Sequence, residues 1–179
     1  MAVSCRAVPT AALFVLTGVL WLAHGALIQA GADYLDPRQL IDFAAIYLFS
    51  AALLALAFAV PALGRLSSRR WAARVGLIGG IGSGTAAVVN ILEDGLNIEW
   101  MFLPFVVSAL TVTVALLVLT LAFALFEHGA YRLLAIVPLS GLLGFQGLLG
   151  GALALAAWLG AAAFVLLRHD LRRLQSGNG

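Results

Sequence analysis

The chain lacks lysine altogether, has one cysteine, and carries little charge of either sign. All ten of its basic residues are therefore arginines. Cys5 stands alone, so it closes no internal disulfide and says nothing about the compartment. Only 10% of the 179 residues are charged, while 63% are hydrophobic. A water-soluble domain needs a far more polar surface than that. The mean hydropathy of +1.08 points to a lipid bilayer as the solvent. A pI of 9.2 fits a nucleic-acid partner on its face, but the placement of the arginines gives it a better, membrane explanation, and no nucleic-acid partner is expected.

What the chain does have is long apolar runs. A spanning helix needs about 20 apolar residues. Candidate spans cover residues 10–29, 41–63, 72–92 and 101–126. The last apolar block, residues 133–167, is long for one span and tight for two. Gly150-Gly151 near its middle predicts a turn, and hence two helices over 133–149 and 151–167. The expected fold is an all-α polytopic transmembrane bundle forming one integral-membrane domain, with six spans preferred over five.

Arginine placement favours six. With the first residue in the cytoplasm, Arg6, Arg65, Arg69, Arg70, Arg74, Arg132, Arg168, Arg172 and Arg173 share the inner side, and Arg38 alone is outside. Five spans would put the three C-terminal arginines outside. The expected location is a multi-pass position in the cell membrane, the inner membrane if the source is bacterial, with both termini cytoplasmic. A competing reading takes the first span, with "IQAGA" after it, as a cleaved signal peptide.

The acids are just as one-sided. Asp33, Asp36, Asp42, Glu93, Asp94 and Glu99 fall on the outer side; Glu127 and Asp170 fall inside. In "DPRQ", Asp36 reads as an N-cap with Pro37 at the first helical position, which starts the second helix near Pro37. Arg38 and Asp42 are then i,i+4 neighbours able to pair.

The third span carries Gly76, Gly80 and Gly84 at spacing four, a pattern for close helix approach. At 100° per residue, Ser83, Ala87, Asn90 and Asp94 continue that face, and Glu93 points sideways. Asp94, more than Glu93, is thus the expected interior carboxylate. The alternative is a helix end running into a solvated loop at Asp94-Gly95. Gly141, Gly144, Gly147 and Gly150 form a second stripe, and both stripes offer surfaces for a homo- or hetero-oligomer. The block after Gly151 has no polar side chain except the Trp158 indole, so it is expected to face lipid or a partner.

His24 ends a Thr10, Thr17, His24 stripe on the first span, at the outer level. Gln146 reaches that level from the fifth span. The candidate constellation is therefore His24, Asp42, Asn90, Glu93, Asp94 and Gln146. Asn90, Asp94, His24 and Gln146 are the expected ligand-binding residues; Asp94, His24, Glu93 and Asp42 are the candidates if there is catalysis. One histidine with scattered acids lacks a metal signature, so no metal site is expected, and no cofactor is identified. "GGIGSGT" lies inside a span without a lysine and is no phosphate loop.

Three functions fit. The first is an outward-facing acidic pocket that binds a cation or a small, lipid-like amphiphile. The second is a membrane-embedded acid–base enzyme, of cyclase or isomerase type, acting on a lipid or isoprenoid. The third is a non-catalytic assembly subunit.

Overall fold

The computed structural model describes residues 7–33, 37–143 and 147–177, with side chains through Asp170. The protein is a bundle of transmembrane helices, with no strand among the described residues. Helices α1 (Ala7–Gln29), α2 (Leu40–Gly64), α3 (Arg70–Asn90) and α4 (Phe102–Phe126) follow in order. A π-helical turn, Ile91–Gly95, extends α3, and a 3₁₀ turn, Glu99–Met101, leads into α4. Two short helices, α5 (Ala130–Leu133) and α6 (Ile136–Leu143), precede the long α7 (Gly147–Gly177). Five helical stretches are long and apolar enough to cross a membrane, and Ala130–Leu143 forms a shorter apolar one.

Neighbouring helices are antiparallel. Helix α1 lies along α7, with Phe14 against Trp158 near one end and Gly25 against Gly147 near the other. Helices α2 and α3 pair from Gly64 beside Gly76 to Ser50 beside Asn90. Gly79 then meets Ala115 and Gly82 meets Thr111, joining α3 to α4. So α4 finishes at the end of the bundle where α7 finishes and α1 begins, and α5–α6 leads the chain back along α4 toward the start of α7. Whether Ala130–Leu143 counts as a sixth crossing turns on its length: it is a short apolar stretch, broken between α5 and α6. The break between the last two helices differs from expectation. Gly150 and Gly151 lie inside α7, and Gly147, at φ +78°, opens that helix. Gly151 is needed for packing instead: a Cβ there would sit 2.7 Å from the Trp21 carbonyl oxygen.

The α7 helix also does more than face lipid. Ala154, Trp158, Ala161 and Ala162 are buried, with the Phe14 ring of α1 against Trp158 and the small residues of α7 letting the α1 backbone come close. Leu159, Leu166 and Leu167 stay on the lipid side.

Glycine serves the α2–α3 contact for a specific reason. Pro61, inside α2, has no N–H to give the Ala57 carbonyl one turn back. Gly80 lies over that carbonyl, and a Cβ on it would be 2.5 Å from the Ala57 oxygen and from Pro61 Cγ. Gly76 and Gly80 are thus spent inside the chain, on α2, rather than left for another subunit.

The two ends of the bundle differ in charge. Arg65, Arg69, Arg70, Arg74, Arg132 and Arg168 gather where α2 and α4 end. Arg69 lies over the Phe126 ring at 5.4 Å and Arg168 over Tyr131 at 5.0 Å, as cations on aromatic faces at a membrane boundary. Asp33, Asp42, Glu93, Asp94 and Glu99 gather at the other end.

Candidate functional site

Each end holds one buried carboxylate with its hydrogen bonds satisfied. Asp42 is 4% exposed. Its Oδ1 accepts from the Asp33 N–H (2.9 Å), and its Oδ2 from the N–H groups of Arg38 (2.9 Å) and Gln39 (2.7 Å). The second helix therefore begins at Leu40, capped at Gln39, three residues later than "DPRQ" suggests. Pro37 is outside the helix, and Asp36 lies outside the described residues. A buried carboxylate at the third helical position outcompetes the Asp-Pro start because it collects three orphan donors at once. Asp42 closes the α1–α2 loop and does not line a cavity with the other candidates.

Glu127 is its counterpart at the arginine end. Its Oε1 accepts from Ser67 Oγ (2.6 Å), the Ser68 N–H (2.7 Å) and Ser68 Oγ (2.9 Å), which pins the α2–α3 loop to the end of α4. Burial pushes this carboxyl up, but the Ser67 and Ser68 hydrogen bonds, helped by the Arg69 charge, outweigh it and hold Glu127 below the usual glutamate value. Nothing in a single-sequence reading marks this clasp, since Ser67 and Ser68 stand sixty positions from Glu127.

Between α1, α2, α3 and α4, at the acidic end, lies a cavity of about 340 Å³. His24, Asn90, Glu93 and Asp94 line it, with Phe49, Phe102 and Phe105 among its apolar walls. Four of the six candidate residues thus share one space. Asp42 is absent from it, and Gln146 lies outside the described residues. A groove of about 480 Å³ between α3 and α4 is larger, but no ionisable side chain lines it.

Each polar wall residue is set by a helix contact. His24 is 5% exposed and its Nδ1 lies 3.2 Å from the Ala45 carbonyl oxygen. A carbonyl only accepts, so Nδ1 carries the proton in this bond. The ring is wedged between Trp21 and Phe49, with centroids at 6.3 and 5.1 Å. Asn90, 2% exposed, donates from Nδ2 to Ser50 Oγ at 3.0 Å, and Ser83 Oγ donates to the Leu53 carbonyl at 2.7 Å. Thr17 bonds back to the Leu13 carbonyl, the ordinary fate of a threonine within an apolar helix.

The π-turn sets the two carboxylates. An α-helix continued past Asn90 puts Glu93 about 100° from Asp94 and off the inner face. Residues 91–95 instead wind with i→i+5 bonds, a wider turn that is frequent at functional sites. Both Glu93 and Asp94 consequently line the cavity. Glu93 Oε2 is buried and has no hydrogen-bond partner among the described residues, in contrast to the three bonds each of Asp42 and Glu127.

Phe49, Phe102 and Phe105 escape a reading of the sequence, because phenylalanine in an apolar run looks like any lipid-facing residue. Phe49 and Phe105 meet edge to face, centroids 6.4 Å apart. Among the described residues, no three His, Cys, Asp or Glu side chains come together as metal ligands. The arrangement is an aromatic-walled space with carboxylates at one end, suited to a positive group with some apolar bulk. No protein family, curated protein or solved structure matches the chain.

Proposed function

We propose that the protein is a multi-pass protein of the cell membrane, with its arginine end cytoplasmic, and that its outward-facing acidic cavity binds a small organic cation. The observation that carries this reading is Glu93 Oε2, buried and without a partner. Glu93 is only partly buried, but a carboxylate oxygen shut off from water without a donor is unfavourable, and a bound cation offsets that. Asp94 adds a second negative group on the same wall, and the faces of Phe49, Phe102 and Phe105 suit an alkylammonium group better than a hydrated metal ion. Asn90 and His24 supply polar contacts that orient the ligand.

The positive-inside rule supports the orientation, which opens the cavity away from the cytoplasm. The glycine stripes give the assembly reading little support, since Gly76 and Gly80 are occupied by α2.

Titration of the purified protein in nanodiscs with tetramethylammonium tests the proposal. Saturable binding that Glu93→Gln weakens by about tenfold or more, the loss of one desolvated charge pair, is expected. No saturable binding, or binding indifferent to both Glu93→Gln and Asp94→Asn, refutes it. A lipid or isoprenoid that co-purifies and changes mass on incubation would move the site to the enzyme class.

A further inference from the structure

A second, smaller cavity lies directly below the first. It measures about 40 Å³ and is lined by Leu53, Leu56, Ala86, Val112, Thr113 and Leu116, among others. Phe49, Phe105 and Ala109 line both cavities, so one wall of residues separates them. The core of that wall is the edge-to-face pair of Phe49 and Phe105. The upper space has every ionisable group; the lower has none, and Thr113 is its single hydroxyl.

Polarity is therefore graded along one axis. Carboxylates stand at the top, aromatic faces below them, and aliphatic side chains at the bottom. From Phe102, in the upper lining, to Leu116, in the lower, α4 advances fourteen positions, or about 21 Å. The two spaces are separate, the lower one only about 40 Å³, but their linings follow one another along α4 and along α2. An apolar void of this kind excludes water and accepts hydrocarbon. Joining the two spaces requires a ring at Phe49 or Phe105 to move, and Phe105 has the fewer ring contacts: Phe49 alone among the described residues, whereas Phe49 meets Trp21, His24 and Phe105.

We propose that the ligand is a single-chain cationic amphiphile, whose ammonium head sits between Glu93 and Asp94 and whose alkyl tail passes Phe49 and Phe105 into the lower cavity. This rests on the cation-binding reading above and adds to it the ligand's shape. Ala86 and Thr113 line the lower space alone, and so set how much tail is accommodated. Phe105 controls entry.

The test compares tetramethylammonium, a head without a tail, with decyltrimethylammonium, both titrated in nanodiscs and corrected for empty discs. In the natural protein the decyl compound should bind several-fold tighter, about fourfold for each methylene that the lower cavity buries. Ala86→Leu fills the lower space and should erase that advantage, while tetramethylammonium affinity stays unchanged and reports that the fold is intact. Where Ala86→Leu does not fold, Thr113→Phe fills the same space from α4 and its less buried site tolerates the change. Phe105→Leu, which thins the partition, should increase the decyl advantage.

A decyl advantage that is absent, or that survives both filling substitutions, overturns the tail assignment and leaves the head-group site standing. Failure of tetramethylammonium itself to bind removes both.

Discussion

The Asn90 carboxamide donates to the Ser50 hydroxyl over 3.0 Å, inside the bundle and immediately before the π-turn that carries Glu93 and Asp94. This bond fixes α3 against α2 at the point where the helix changes its winding. Asn90→Leu removes it and puts an apolar group beside a buried hydroxyl. The expected cost is about 1–3 kcal/mol of stability. Thermal melting in detergent should show a lower midpoint for Asn90→Leu than for Ser50→Ala, since alanine leaves a smaller disturbance. Equal midpoints for Asn90→Leu and the natural protein would mean that the bond fixes nothing.

The glycine face of α3 makes a finer distinction. Gly80 touches the Ala57 carbonyl and the Pro61 ring, whereas a Cβ on Gly84 would meet only Ala57 Cβ at an ordinary 3.5 Å. Gly80→Ala should cost about 1–3 kcal/mol through overpacking. Gly84→Ala should be neutral or slightly stabilising, because alanine is the better helix former. Melting midpoints of the two variants check this, and a Gly84→Ala loss as large as that of Gly80→Ala would contradict it.

How much of this was readable beforehand depends on the physics of each feature. The spans follow from run length and arginine placement, which the bilayer imposes on the whole chain at once. Their pairing does not follow in the same way: α1 packs along α7, from the far end of the chain, and no loop imposes that contact. The π-turn was not readable: extrapolation at 100° per residue turns Glu93 away from the interior, and no residue in "NILEDG" announces i→i+5 winding. Gly150-Gly151 looked like a turn because two adjacent glycines usually are one, but Gly151 is small to fit Trp21. Asp42 looked like a site residue because a charge near a span attracts attention, yet backbone donors consume it. Span topology puts His24, Asn90, Glu93 and Asp94 at one outer level; the cavity that they line also needs α2 and α4 to close it, which no local pattern encodes.

Topology is open to a direct check. The antiparallel α1–α7 contact puts the start of α1 and the finish of α7 at the same end of the bundle. A reporter fused after residue 179 should be active in the cytoplasm, and one inserted in the α1–α2 loop on the other side of the membrane. The same side for both fusions would be incompatible with these contacts.

Glu127 gives the protein an acid sensitivity of definite sign. Its folded-state value is depressed, so the clasp contributes stability in full above the ordinary glutamate value, about 4.3, and loses it as pH falls through the lower folded value. Glu127→Gln cannot carry the charge at any pH. The natural protein should therefore melt higher than Glu127→Gln near neutrality, and the gap should close on acidification below about pH 4. A gap that widens toward acid pH would show that the carboxyl is protonated in its clasp.

Asp42 and Glu93 are both acids at the same end of the bundle, and amide substitution should cost stability at Asp42 and not at Glu93. Asp42 accepts three N–H bonds and caps α2. Asp42→Asn replaces one acceptor oxygen with a donor, and should cost about 0.5–2 kcal/mol, as lost caps do. Ligand-induced stabilisation should survive, because Asp42 is not in the cavity wall. Glu93 has a buried oxygen with no donor. Glu93→Gln removes an unpaired charge and should leave the ligand-free protein as stable as before, or more so. What it should lose is the stabilisation by cation, which for a ligand at a hundred times its Kd amounts to about 2.7 kcal/mol. Melting curves of both variants, with and without tetramethylammonium, separate the two roles. If Glu93→Gln melts lower without ligand and keeps its ligand shift, Glu93 is a structural acid like Asp42, and the cavity is not organised around it.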